Sequence, residues 1–223
     1  MVRRTALFDL DGTLTDPQTG ITRCIAHALA ELDEPVPNQS ELCDWIGAPL
    51  HQTFEDHLGS RDRADEALRL YRARFSTIGL FENVLFDGMI DALTAIRDQW
   101  DRLYVVTSKP RPFAVQIIDH FNLTGFFEGI YGSELDGRYA EKTELMGHVL
   151  QREVVDTSAT VMIGDRRYDI AAAAAHDVRS IGVLWGFGDR TELESAGADA
   201  ICAAVPELPG ALFAIDSESC AEL

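Results

Sequence analysis

From Leu103 onward the chain alternates. Short apolar runs at Leu103–Thr107 (LYVVT), Gly129–Gly132, Thr160–Ile163 (TVMI), Ser180–Leu184 and Ala200–Cys202 are separated by stretches with helical character. Those stretches are Phe113–Phe121, Thr143–Gln151, the alanine-rich Ile170–His176, and Glu192–Ala196, with Met89–Trp100 ahead of the first run. Strands that alternate with helices at this spacing imply a parallel sheet covered on both faces. Thr5–Leu10 (TALFDL) supplies one more buried strand, ending in acid and glycine.

The stretch from about Gly20 to Leu85 breaks the alternation. Ile21, Ile25, Ala28, Leu29 and Leu32 form a helical stripe, and Pro35 and Pro37 end it. Helices are expected over Glu41–Trp45, Leu50–Leu58 and Arg63–Ile78, the last placing Ala64, Leu68, Tyr71, Phe75 and Ile78 on one face. The fold class expected is therefore α/β: a doubly wound parallel sheet with an inserted all-helical cap. The core is assigned to residues 1–16 and 86–223 and the cap to 17–85. The tail after Pro209 is expected to be a short ordered extension that frays over Asp216–Leu223.

Composition narrows the partners. The 223 residues carry a formal net charge of −18, with 37 acidic and 19 basic side chains. Such a field repels nucleic acid and anionic membrane, and any phosphate site needs local positive charge. The acidity itself reads as a solvated surface, suited to a salty cytoplasm. No apolar run approaches the roughly 20 residues that span a bilayer, and no secretory signal precedes Asp9, so a cytoplasmic location is expected. Four cysteines and six histidines show no metal-ligand spacing. Seventeen arginines accompany only two lysines, Lys109 and Lys142, both beside strand ends. Lysine survives where a compact ammonium does what a planar guanidinium cannot.

Four segments carry chemistry. In Asp9-Leu10-Asp11-Gly12-Thr13-Leu14-Thr15-Asp16, two carboxylates leave the carboxyl end of a buried strand, where α/β sheets bind ligands. Two like charges buried together call for a cation, and a divalent metal with oxygen ligands serves. Thr107 ends the LYVVT strand, where its hydroxyl and the following N–H groups, Ser108 among them, suit a phosphoryl oxygen. In Met162-Ile163-Gly164-Asp165-Arg166-Arg167-Tyr168-Asp169 a strand ends in Gly-Asp, with a second acid four residues on. On a helix start that spacing points both acids at one cation. Lys142 stands between these segments, at the start of a helix.

Taken in order, these segments resemble the motifs of the haloacid dehalogenase superfamily, in particular its phosphatase branch. The resemblance implies a Rossmann-like core, Asp9 as nucleophile and Asp11 as general acid and base. It implies Mg2+ held by the Asp9 side chain, the Asp11 backbone carbonyl, Asp165 and Asp169. Thr107, Ser108 and Lys142 would bind the phosphate, with Thr107 and Lys142 also stabilising the transition state. One departure is Thr143, where the family usually has proline after the lysine. Ile181–Gly188 and Ala196-Gly197-Ala198-Asp199 look like the phosphoglycolate phosphatase and 5′-nucleotidase-like branch. The glycines in Trp185-Gly186-Phe187-Gly188 lack the third glycine of a dinucleotide site and read as a loop.

The implied activity is Mg2+-dependent hydrolysis of a small phosphate monoester, of phosphoglycolate or nucleoside monophosphate type, through an aspartyl-phosphate. A dehalogenase of the superfamily lacks the second aspartate, so Asp11 argues against that activity. A phosphomutase shares both aspartates and stays open. A non-enzymatic phospho-acceptor switch uses similar residues but is shorter and has no helical insertion. In the cap, Arg23 could reach a carboxylate or phosphate, and Trp45 and Phe54 could contact a base. Each is equally an ordinary helix residue.

Overall fold

A computed structural model describes residues 3–219 and divides them into two compact units, one of residues up to Leu14 and from Leu85 onward, the other Thr15–Val84. The larger unit is built on a six-stranded sheet. Its strands are β1 (Thr5–Phe8), β4 (Arg102–Pro110), β5 (Gly129–Ser133), β6 (Thr160–Gly164), β7 (Arg179–Val183) and β8 (Ala200–Cys202), in the order β5-β4-β1-β6-β7-β8. Every neighbouring pair is parallel. Strands β1 and β6 are buried along their whole length, as expected for strands covered on both faces. The two short strands β2 (Thr15–Asp16) and β3 (Val84–Leu85) pair in a separate ribbon.

Helices α5 (Met89–Arg97), α6 (Arg111–His120), α7 (Lys142–Glu153), α8 (Arg167–Ala174), α9 (Arg190–Ser195) and α10 (Leu208–Ser219) complete this unit. Leu145, Met146, Val149 and Leu150 of α7 and Ala172 and Ala173 of α8 pack on Leu7, Val106 and Met162 of the central strands. The extension expected after Pro209 is helical and belongs to α10, which runs to Ser219, and the rest of the expected fraying segment, Cys220–Leu223, lies outside the described residues.

The chain crosses the sheet in two directions. From β1 it passes to β4 and then β5 on one side, and returns to β6, β7 and β8 on the other. The carboxyl ends of β1, β4 and β6 therefore flank the point where the winding reverses, the position at which open α/β sheets bind ligands. Where the chain leaves β1 and re-enters before α5, the Phe86 amide donates to the Leu14 carbonyl at 3.3 Å.

The second unit is helical: α1 (Gln18–Glu31), α2 (Gln39–Cys43), α3 (Leu50–Leu58) and α4 (Arg61–Phe75). Ile21, Cys24, Ile25, Ala28 and Leu29 form the buried stripe of α1. The inward face of α4 is Ala64, Ala67, Tyr71 and Phe75. This corrects the expected face, because Ala67 takes the buried place given to Leu68 and the helix stops at Phe75. Ile78, freed from the helical register, is 51% exposed. Trp45 packs edge-on against Phe54, with ring centroids 5.5 Å apart.

Candidate active site

Two adjacent strand tips and the start of α8 gather the acids. Asp9 follows β1 and its amide still donates to the Ile163 carbonyl of β6 at 2.9 Å, which locks the two tips in register. Asp165 follows β6. Asp169 lies in the first turn of α8, and its Oδ2 accepts the Arg166 amide at 3.0 Å. Asp9, Asp165 and Asp169 each offer a carboxylate oxygen within 4.8 Å of the others, and all three are buried. The convergence of Asp165 and Asp169 arises differently from the expected shared helix face. Asp165 sits ahead of α8, and the turn of chain between the two acids folds Asp169 back toward it.

Lys142, the first residue of α7, faces this group. Its Nζ donates to Asp169 Oδ1 at 2.5 Å and lies 2.7 Å from Asp9 Oδ1. The second contact is an ion pair without hydrogen-bond geometry, and Asp9 Oδ1 remains a buried oxygen with no hydrogen-bond partner. Thr143 does not disturb this placement, since α7 begins at Lys142 with threonine exposed at its second position.

Asp11 stands apart from the three-acid group. Its Oδ2 accepts from Lys109 Nζ at 2.5 Å, while its Oδ1 is buried without a partner. Lys109 reaches it because β4 is irregular at its end: Thr107 pairs with Gly132 but Pro110 pairs with Ser133, so Ser108 and Lys109 bulge from the ladder. Thr107 Oγ1 accepts the Lys109 amide at 3.2 Å, and Ser133 Oγ donates to the Ser108 carbonyl at 2.8 Å. Thr107 and Ser108 thus lie near the end of β4, in the segment that carries Lys109. Lys109 is the residue that the sequence motifs pass over. The signal for it was the scarcity of lysine, together with its position at a strand end.

The glycine after Asp11 is required by close approach. Gly12 has φ +84°, and a Cβ there would lie 2.1 Å from Asp165 Oδ2. Thr13 Oγ1 then donates to Asp165 Oδ1 at 3.3 Å.

Charge is unbalanced at this site. Four buried carboxylates, Asp9, Asp11, Asp165 and Asp169, face two buried ammonium groups, Lys109 and Lys142. The neighbouring cation, Arg166, is engaged by Glu192 at 2.9 Å. Two negative charges are left over in a place where each is expensive to hold. The acids respond by holding protons more tightly. Burial, reinforced by Asp169 and Asp9, raises Asp165 well above the usual carboxylate range. Burial likewise lifts Asp169 to about 6, against the pull of Lys142. Burial raises Asp11 as well, and Lys109 opposes that rise. For Lys142, burial favours the neutral amine, but Asp169 and Asp9 outweigh it and leave its pKa above that of an ordinary lysine. A surplus of two negative charges and three carboxylate oxygens within 4.8 Å of one another together fit one hard divalent cation such as Mg2+.

Residues 6–183 match the model of the haloacid dehalogenase-like hydrolases. A Pseudomonas aeruginosa protein named 5′-nucleotidase is 46% identical over 198 residues, covering 88% of this chain and 90% of the relative. A Mycobacterium tuberculosis protein named tyrosine-protein kinase PtkA is 36% identical, covering 92% of this chain and 71% of the relative. Among solved structures, a Clostridium acetobutylicum protein described as a predicted phosphatase superposes with a TM-score of 0.91 at 37% identity, covering 96% of this chain and all of that one.

Proposed function

This chain belongs to the haloacid dehalogenase-like hydrolase family, and on that footing we propose that it is a phosphatase that hydrolyses a small phosphate monoester through a phospho-aspartate on Asp9. The observation that carries this reading is the charge imbalance at the three strand tips. Two surplus negative charges, held beside a buried ammonium, suit a site that takes a divalent cation and then a phosphoryl group.

The residues divide the work. Asp9, with one carboxylate oxygen unengaged by hydrogen bonds, is the nucleophile that forms a bond to phosphorus as the ester oxygen departs. Asp11, whose burial favours the protonated form, gives that oxygen its proton. Lys109 fixes the orientation of the Asp11 carboxyl and keeps its proton from being held too tightly. Water then attacks the acyl-phosphate, and Asp11 takes the proton back, releasing Asp9 and inorganic phosphate. Lys142 neutralises the phosphoryl oxygens on one side, with Thr107 and Ser108 as hydrogen-bonding groups at the tip of β4. Asp9, Asp165 and Asp169 would hold Mg2+, with the Asp11 carbonyl as a further ligand, and the bound ion would supply neutralising charge for the transferring group. The division of labour between a core of residues 1–16 and 86–223 and a cap of 17–85 belongs to the same proposal.

The relative named 5′-nucleotidase favours a nucleoside monophosphate as substrate over phosphoglycolate. The relative named a tyrosine kinase raises a second reading, phosphoryl transfer to tyrosine. A panel of phosphate esters, incubated with and without Mg2+ and followed by phosphate release, separates these readings and also a phosphomutase or a silent acceptor. The expected result is Mg2+-dependent release, highest with nucleoside monophosphates. Asp9→Asn is expected to lower turnover by on the order of 10⁴-fold or more and to abolish acid-stable phosphate labelling. Full activity in that variant rules Asp9 out as nucleophile.

A further inference from the structure

The run Trp185-Gly186-Phe187-Gly188 follows β7 and has no part in the chemistry above, yet it contacts both Asp165 and the segment that follows Asp9 and Asp11. The Phe187 amide donates to Asp165 Oδ2 at 2.8 Å. The Trp185 indole Nε1 donates to the Thr13 carbonyl at 3.0 Å, and Thr13 in turn bonds the other Asp165 oxygen. Gly186 lies so close that a Cβ there would sit 2.4 Å from Asp165 Oδ2 and 2.4 Å from the Gly12 carbonyl. One loop thus ties the segment after Asp9 to Asp165, through an indole on one side and an amide on the other. Neither half of that link is a ligand, and neither touches the reacting atoms.

We propose that the Trp185–Gly188 loop is a positioning element of the cation site, setting the separation of the Asp9 and Asp165 tips and so the affinity for a divalent ion. The proposal rests on the reading of Asp9, Asp165 and Asp169 as ligands. Groups that orient ligands in this way typically change metal affinity by about 10- to 100-fold when lost. Trp185→Phe keeps the ring and removes the N–H. Gly186→Ala forces the loop away from Asp165.

The test is calorimetric titration of the whole chain with Mg2+ alone, for the parent and both variants, alongside aryl phosphate turnover as a function of Mg2+. Trp185→Phe is expected to weaken Mg2+ binding about tenfold, and Gly186→Ala more. For Trp185→Phe, kcat is expected to recover largely at saturating Mg2+, a split that general loss of stability does not produce. A second measurement needs no variant: Mg2+ is expected to slow hydrogen exchange at the Phe187 amide of the parent chain. Equal Mg2+ affinity in parent and folded variants overturns the proposal. If the variants do not fold, unchanged exchange at Phe187 overturns it. If the parent itself takes up no Mg2+, the ligand assignment fails first and this proposal falls with it.

Discussion

The two units each contain a charge cluster, and the clusters are opposites. At the strand tips of the larger unit, four carboxylates face two ammonium groups, all buried. In the helical unit, one carboxylate, Glu82, is shared by two guanidinium groups: Arg74 at 2.8 Å and Arg23 at 2.7 Å. The first cluster has surplus negative charge and little access to water. The second has surplus positive charge and is open on one side, where the Arg23 side chain is 62% exposed, while Arg74 and Glu82 are 18% and 20% exposed. Burial makes the first cluster intolerant, because each unpaired charge there lacks solvent to stabilise it. Exposure makes the Arg23 pair of the second adjustable, since water screens it. The proposed chemistry sits at the strand tips. In the helical unit, the exposed Arg23 charge can change at small cost to the fold.

Lys109→Met should show the intolerance most sharply. It leaves Asp11 buried without its ammonium, so the Asp11 pKa rises further and the proton is harder to release. Turnover of an aryl phosphate is expected to drop by about 10²-fold, with the pH profile displaced to higher pH. A profile that stays in place would remove Lys109 from the proton-transfer step.

The pH dependence of metal-free stability probes the same cluster without a substrate. Asp169 has a folded pKa raised to about 6, and Asp165 is also raised, above their unfolded values. A raised carboxylate favours the folded chain below the unfolded pKa, and this advantage is lost as pH rises through the folded value. Without divalent ions, the Asp169 contribution should therefore decline between about pH 4 and 6. Mg2+ competes with those protons, so it should raise Tm more at pH 7.5 than at pH 5. An equal rise at both values, measured by calorimetry, would separate the ion from these acids.

The smallest effect belongs to the helical unit. Arg23→Ala removes an exposed partner of Glu82 while Arg74 remains, so stability should change by less than about 1 kcal/mol. A larger loss in chemical denaturation would erase the contrast between the clusters.

The sequence made some of this legible and hid the rest for definable reasons. The order of strands and helices, and the acids at positions 9, 11, 165 and 169, could be read because period and motif are local signals. Lys109 escaped because its direction depends on a bulge between β4 and β5, and bulges leave no local pattern at this site. The Trp185 loop read as a loop and nothing more, since its partners Thr13 and Asp165 are remote in sequence. The α4 face was misassigned by one position because alanine at 67 and leucine at 68 both satisfy an apolar stripe, and only packing against α1 and α3 chooses between them.

Crystals of this protein grown with Mn2+ and measured for anomalous scattering would test the reading of the strand tips most directly. The account predicts one strong peak bound by the carboxylates of Asp9 and Asp165, with Asp169 beside it and Lys142 on the other side of Asp9. No peak there at saturating Mn2+, or an ion held by other residues while these acids keep only their protons, would contradict it.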